Sequence, residues 1–178
     1  MSLQSLVITT MLPVYIPLQF INKSINSFEI PITWQIPTVI LLTLIFQKEV
    51  ILKAYYIYIF LGLFIAPVFH QGGSIGYLLT PNFGYLLGLY PLIKIIDNLN
   101  KRNKINFGNF LINGFIGICA LHLTGIFYNF IQIIFFSQFN IFLYNLGKYS
   151  VGKIGYHFIM LLPLLLLIKP IKHLKKSK

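Results

Sequence analysis

Between Pro67 and Gly88 the chain reads Pro-Val-Phe-His-Gln-Gly-Gly-Ser-Ile-Gly-Tyr-Leu-Leu-Thr-Pro-Asn-Phe-Gly-Tyr-Leu-Leu-Gly. Glycines 72, 73, 76, 84 and 88 stand there beside uncharged polar side chains, between one apolar run and the next. Glycine tolerates backbone conformations that other residues resist and lets a ligand approach the main chain, so such a run exposes amides for hydrogen bonding. This is the chemistry of neutral recognition. His70, Gln71, Tyr77 and Asn82 offer side-chain donors and acceptors, and Gly72 and Gly73 offer backbone ones. The stretch reads either as a lid or binding loop, or as a re-entrant turn that joins two membrane helices.

The remaining reactive side chains narrow the choice. The three acids, Glu29, Glu49 and Asp97, fall at the edges of apolar runs, so no intramembrane carboxylate is present to couple transport to protons or sodium. No Gly-Lys-Ser or Gly-Lys-Thr follows the glycines, which excludes a phosphate-binding loop. A carrier built from these residues depends on a partner that hydrolyses nucleotide. His70, His122 and His157 could form a three-histidine zinc site. No acid lies near them to orient the rings, and their spacing matches no metal motif, so neither metal nor cofactor is expected. His122, inside an apolar run, reads as an interhelical hydrogen bond from a neutral ring, whereas His70 and His157 flank polar segments and are candidates for ligand contact. No nucleophile is paired with a base, so the chain reads as a carrier and not an enzyme. The single cysteine, Cys119, reads as a packing residue.

The elements that must position these groups are membrane helices. Hydrophobic residues make up 57% of the 178 and charged residues 10%, with mean hydropathy +0.79, where a soluble domain carries about a quarter charged residues. Apolar runs near the ~20 residues needed to cross a bilayer predict an all-α integral membrane protein, a bundle of six transmembrane helices. The first is expected over Leu3 to Phe20, with Pro13 and Pro17 kinking or ending it. The second covers Ile32 to Phe46, bent by Pro37, and the third Val50 to Phe69. The fourth covers roughly Phe83 to Ile96, or begins earlier if Tyr77 to Thr80 is already helical. The fifth, Gly108 to Phe136, exceeds one bilayer thickness, so it tilts and projects or breaks near Gly125. Ser137 to Gly152 reads as a polar, aromatic connection before a short sixth span, Ile154 to Ile168. One membrane domain, residues 1–178, ends in a basic cytoplasmic tail, 169–178.

The net charge of +11 would suggest nucleic acid in a soluble chain, but here the basic residues sort by side. Eleven of the fourteen lysines and arginines fall on one face of the six-span arrangement; Lys23, Lys148 and Lys153 fall on the other. The positive-inside rule then places both termini in the cytoplasm of a multi-pass plasma-membrane protein. The glycine stretch, residues 22–31 and residues 137–153 gather outside as one mouth, and the expected partners are the lipid bilayer and a small ligand, with no nucleic acid.

The stretch from Pro67 to Gly88 resembles the signature loop of the BioY family, the biotin-binding S components of energy-coupling factor (ECF) importers, and most closely its cyanobacterial members. Pro31-Ile-Thr-Trp-Gln35 resembles that family's pattern before the second helix, and Leu121-His-Leu-Thr-Gly125 its fifth-helix pattern; the likeness covers about residues 13–165. It implies a six-helix subunit that captures biotin outside and associates with an energising module of one transmembrane coupling protein and two ATPases. By the same resemblance Gln71 falls where many members have an asparagine on the ureido group, and Tyr85 where some have an arginine near the carboxylate. Gln35, His70, Gly72, Gly73, Tyr77, Asn82 and His157 complete the expected contacts. The chain departs from the family at the sixth helix. Many members show Gly-Asp-x-x-Lys where this sequence reads Tyr156-His157-Phe158-Ile159-Met160, leaving His157, Lys153 or loop amides as substitutes. That departure keeps two alternatives open: an S component for another small vitamin, or a ligand-free membrane scaffold. The first span also lacks the alanines with which the family meets its coupling protein. Gly84 and Gly88, at small-xxx-small spacing, could serve there or pack helices inside the bundle.

Overall fold

The computed structural model describes residues 2–19, 26–70, 72–102, 106–136 and 139–176. Helix α1 (Ser2–Met11) leads into an antiparallel pair of strands, β1 (Pro13–Gln19) and β2 (Asn26–Thr33), followed by α2 (Gln35–Ile45) and α3 (Lys48–Phe64). A 3₁₀ turn (Ile75–Leu79) precedes α4 (Pro81–Leu87), α5 (Leu89–Arg102) and α6 (Phe107–Phe136). The chain closes with α7 (Phe139–Asn145), a π-helical segment (Leu146–Val151), α8 (Gly152–Ile159) and α9 (Leu161–Lys176).

The hairpin corrects the all-α expectation and shortens the first helix, which ends at Met11 instead of reaching Phe20. Proline has no N–H to give and clashes with the preceding helical turn, so Pro13 and Pro17 push the chain into an extended course. The two register irregularities of the hairpin fall beside these prolines, between Pro13 and Val14 and between Pro17 and Gln19, where a missing donor interrupts a ladder. Val14, Ile30 and Ile32 bury themselves with Met160, which lies between the helices Gly152–Ile159 and Leu161–Lys176, as a satellite of the main core.

Two other prolines are accommodated in helices because of where they fall. Pro37 and Pro91 lie in the first turns of α2 and α5, whose N–H groups have no intrahelical partner to lose. Helix α6 runs unbroken through Gly125 for 30 residues, about 45 Å. The polar stretch expected to connect the last two spans is instead largely helical. Residues 139–145 form α7 and residues 146–151 its π-helical continuation, so the last helical run begins well before Ile154. The basic tail likewise continues α9 as far as Lys176.

Among the described residues, Phe107–Phe135 and Phe139–Ile168 are long and apolar enough to cross a membrane. Helices α1 and α2, with 10 and 11 residues, rise only about 15 Å each. The core joins Leu6, Val39, Ile51, Tyr58, Leu92, Ile96, Ile118 and Leu164, while Leu123, Phe127, Ile134 and Phe135 of α6 face outward. So much exposed apolar surface is a liability in water and the expected outer wall in lipid. Inside lipid the helices gain by close packing, and small residues permit it. A Cβ on Gly84 would stand 2.5 Å from the side chain of Tyr128, and one on Gly88 2.6 Å from the Leu121 carbonyl. Both glycines therefore serve the α4–α6 contact inside the bundle.

Lys48 at the start of α3 and Lys101 near the end of α5 both reach Asp97, at 3.9 and 2.7 Å. The hydrogen bond to Asp97 holds the Lys101 ammonium above its ordinary range. Seventeen residues of α3, about 25 Å, separate this charged end from the glycine-rich loop at the other.

Candidate functional site

The loop after α3 is shaped by its backbone. Phe69 N–H donates to the Gly72 carbonyl at 3.0 Å and Gly72 N–H to the Phe69 carbonyl at 3.2 Å, which turns the chain back on itself just after Phe69. Gly72 has φ +142°, a conformation that side chains oppose. Gly73 fits where a Cβ would stand 2.6 Å from the Pro67 backbone, and Ser74 N–H donates to the Gly62 carbonyl at 2.8 Å. Phe69, fully buried, lies over Gly62 and packs its ring against Tyr58 and Tyr77, with centroids 5.2 and 4.8 Å away. Tyr77 O–H donates to the His70 carbonyl at 2.9 Å, and burial pushes its hydroxyl above the ordinary tyrosine range, keeping it a donor. Tyr128 O–H donates to the Leu78 carbonyl, tying the 3₁₀ turn to α6.

Beside this loop is a cavity of about 90 Å³. Ile32, Ile36, Leu86, Leu89 and Leu121 supply apolar wall. Of the residues singled out from sequence, Gln35, His70, Tyr77, Asn82, Tyr85 and His157 line it. Gly72 and Gly73 are not among the lining residues; they set the course of the loop. Gln71 lies outside the described residues.

Three polar wall groups were not among those expected as contacts: Thr33, Tyr149 and Lys153, of which Lys153 figured only as a substitute. Tyr149, Lys153 and His157 follow one another at intervals of four, the spacing that stacks side chains on one helical face. That face begins inside the π-helical segment and continues into α8, and the segment's wider turn re-aims the residues after it. Among the described residues Lys153 is the one lysine or arginine of the wall, and no aspartate or glutamate lines it.

Behind the wall runs a chain of hydrogen bonds. Tyr85 Oη and Ser150 Oγ are 2.6 Å apart, Ser150 Oγ is 3.3 Å from His122 Nδ1, and His122 Nε2 is 3.1 Å from His157 Nδ1. His122 thus forms an interhelical hydrogen bond, as its place in the sequence suggests, and its partner is the ligand candidate itself. Gly125 makes room for the Tyr85 ring, which would stand 2.5 Å from a Cβ there. On the loop side, Gln35 Nε2 donates to Tyr58 Oη at 3.1 Å, and Thr10 Oγ1 contacts the same hydroxyl at 3.1 Å. The arrangement combines apolar walls with neutral donors and acceptors and one positive charge.

Over 108 residues the chain is 32% identical to a "Probable biotin transporter BioY" of Lysinibacillus sphaericus. The alignment covers 58% of this chain and 54% of that protein, so the chain spans about half the length of the curated relative it matches. Its fold is similar to the crystal structure of the S-component for biotin from an ECF-type ABC transporter, with TM-score 0.67 and 20% identity, covering 98% of this chain and 87% of that one. The family model described as "BioY family" matches residues 2–163: this helical membrane chain belongs to the BioY family.

Proposed function

We propose that this chain is the substrate-binding membrane subunit of a biotin importer. It captures biotin at the external face for uptake energised by partner ATPases and acts as a carrier, not an enzyme. The observation that carries this reading is the composition of the cavity wall among the described residues: one cation, Lys153, no acid, neutral hydrogen-bonding groups and aliphatic side chains. Biotin presents a ureido ring with donors and an acceptor, an apolar thiophane ring and tail, and one carboxylate, and each finds a complement there. His157 accepts from a ureido N–H, Asn82, Gln35 and the loop serve the rest of that group, and Lys153 and Tyr85 meet the carboxylate. Charge-assisted bonds of this kind are about twice as strong as neutral ones.

The same reading makes residues 1–178 one membrane domain with six crossings in the plasma membrane. The Lys48, Asp97 and Lys101 end, with both termini, is cytoplasmic, and the cavity end is external, in keeping with the bias of basic residues. An ECF module, with a transmembrane coupling protein and two ATPases, is the partner this reading implies. Equilibrium binding of labelled biotin to the purified protein tests it, with saturable one-to-one binding expected. Binding of a different vitamin with none of biotin would overturn the assignment.

A further inference from the structure

Ser150 and His122 do not line the cavity, yet they connect two groups that do. Ser150 is buried, and among the described residues its hydroxyl has two hydrogen-bond partners, Tyr85 and His122. A serine hydroxyl has one proton and two lone pairs; with no other acceptor for that proton among the described residues, Ser150 donates to one of these partners and accepts from the other, and a neutral imidazole donates from one nitrogen and accepts at the other. The chain Tyr85–Ser150–His122–His157 can therefore be filled in two directions only. In one, Tyr85 donates to Ser150, Ser150 to His122 Nδ1, and His122 Nε2–H to His157 Nδ1. His157 then carries its proton on Nε2 and presents a donor to the cavity, while Tyr85 presents only oxygen lone pairs. In the other, His157 Nδ1–H donates to His122 Nε2, His122 Nδ1–H to Ser150, and Ser150 to Tyr85. His157 Nε2 is then an acceptor, and the Tyr85 hydroxyl proton is released to the cavity.

We propose that Ser150 and His122 are positioning residues that couple the two ends of the ligand site, so that a ligand giving a hydrogen bond to His157 makes Tyr85 a donor for that ligand's anionic end. This rests on the reading of the cavity as the biotin site. A ureido N–H at His157 requires a bare Nε2, which selects the second direction and points the Tyr85 proton at a carboxylate. A head group that could only accept would select the first direction and set the Tyr85 lone pairs against that carboxylate. Neutral side chains thereby select for a donor at one end together with an acceptor at the other. Fixed networks of this kind polarise along their length.

The direction also fixes the tautomers. In either filling the two histidines carry their protons on the same ring position, both Nε2–H or both Nδ1–H. The test is ¹⁵N NMR of the histidine rings in the purified full chain, with and without biotin. Matching tautomers are expected in the free protein, and Nδ1–H in both rings with biotin bound. Opposite tautomers in the two rings, or Nε2–H in both with biotin bound, would overturn the inference. Ser150→Ala is expected to weaken biotin binding roughly three- to tenfold, the net value of one hydrogen bond, and Ser150→Thr to restore it. Wild-type affinity in Ser150→Ala would also overturn the coupling. If the unsubstituted protein binds no biotin, the functional reading falls instead, and the tautomers of the free protein still decide whether the chain is directional.

Discussion

Phe69 lies over Gly62 so closely that a Cβ on Gly62 would overlap its ring. One end of the glycine-rich loop is thereby seated in a slot on α3, between Tyr58 and Tyr77, and the cavity wall formed by His70 and Tyr77 depends on that seat. Gly62→Val should expel Phe69 and weaken biotin binding more than tenfold, with membrane insertion and expression retained. Equilibrium binding alongside size-exclusion chromatography reads both, and unchanged affinity would show that the slot does not organise the site.

The loop's own glycines should separate by mechanism. Gly72 has open space around its Cβ position but a positive φ, so Gly72→Ala costs the backbone strain alone, about 1–2 kcal/mol. Gly73 has the reverse problem, a Cβ that would meet the Pro67 backbone. Gly73→Ala should therefore displace the loop and reduce binding further than Gly72→Ala does. Thermal shift and biotin affinity of the two variants provide the comparison.

Lys153 is expected to hold the ligand's carboxylate. Lys153→Met should weaken biotin roughly ten- to hundredfold, the range for a hydrogen bond to a charged partner. The same substitution should leave the affinity for biotin amide nearly unchanged, because that ligand has no charge to lose. Equal losses for both ligands would assign Lys153 a packing role.

His157→Gln should keep biotin binding within about fivefold, since an amide oxygen can accept in place of the imidazole nitrogen, whereas His157→Phe should lose the bond and leave a ureido N–H unpaired. Competition binding with the two variants measures the difference.

Orientation is testable in a Cys119→Ser background. A cysteine at Ser74 should react with an impermeant thiol reagent applied to intact cells, and one at Arg102 only after the membrane is opened. The reverse pattern would invert the topology.

The membrane character, the glycine-rich loop and the long helices α3 and α6 were legible because each is written in adjacent residues: an apolar run, or glycines among polar groups. Other features depend on distant partners. The pairing of residues 13–19 with 26–33 overrode an apolar pattern that reads as helix, and only Pro13 and Pro17 signalled the change. Gly147, Ser150 and Gly152 look like loop punctuation, yet the chain there winds as a π-helical segment that sends Tyr149, Lys153 and His157 to one wall. The meeting of His122 with His157, 35 residues on, has no local signature, because it is produced by the packing of α6 against α8. Ser150 was missed for the same reason.

The unbalanced Lys153 has an electrical consequence. With Lys153 protonated and no acid among the described residues of its wall, the empty cavity carries a positive charge, and a bound monocarboxylate cancels it. Moving a full elementary charge across a membrane at 100 mV requires about 2.3 kcal/mol. A site neutralised by its own cargo escapes that work when loaded and meets the voltage only when empty. If the chain carries biotin as proposed, membrane potential bears on the return of the vacant carrier and leaves the loaded one untouched.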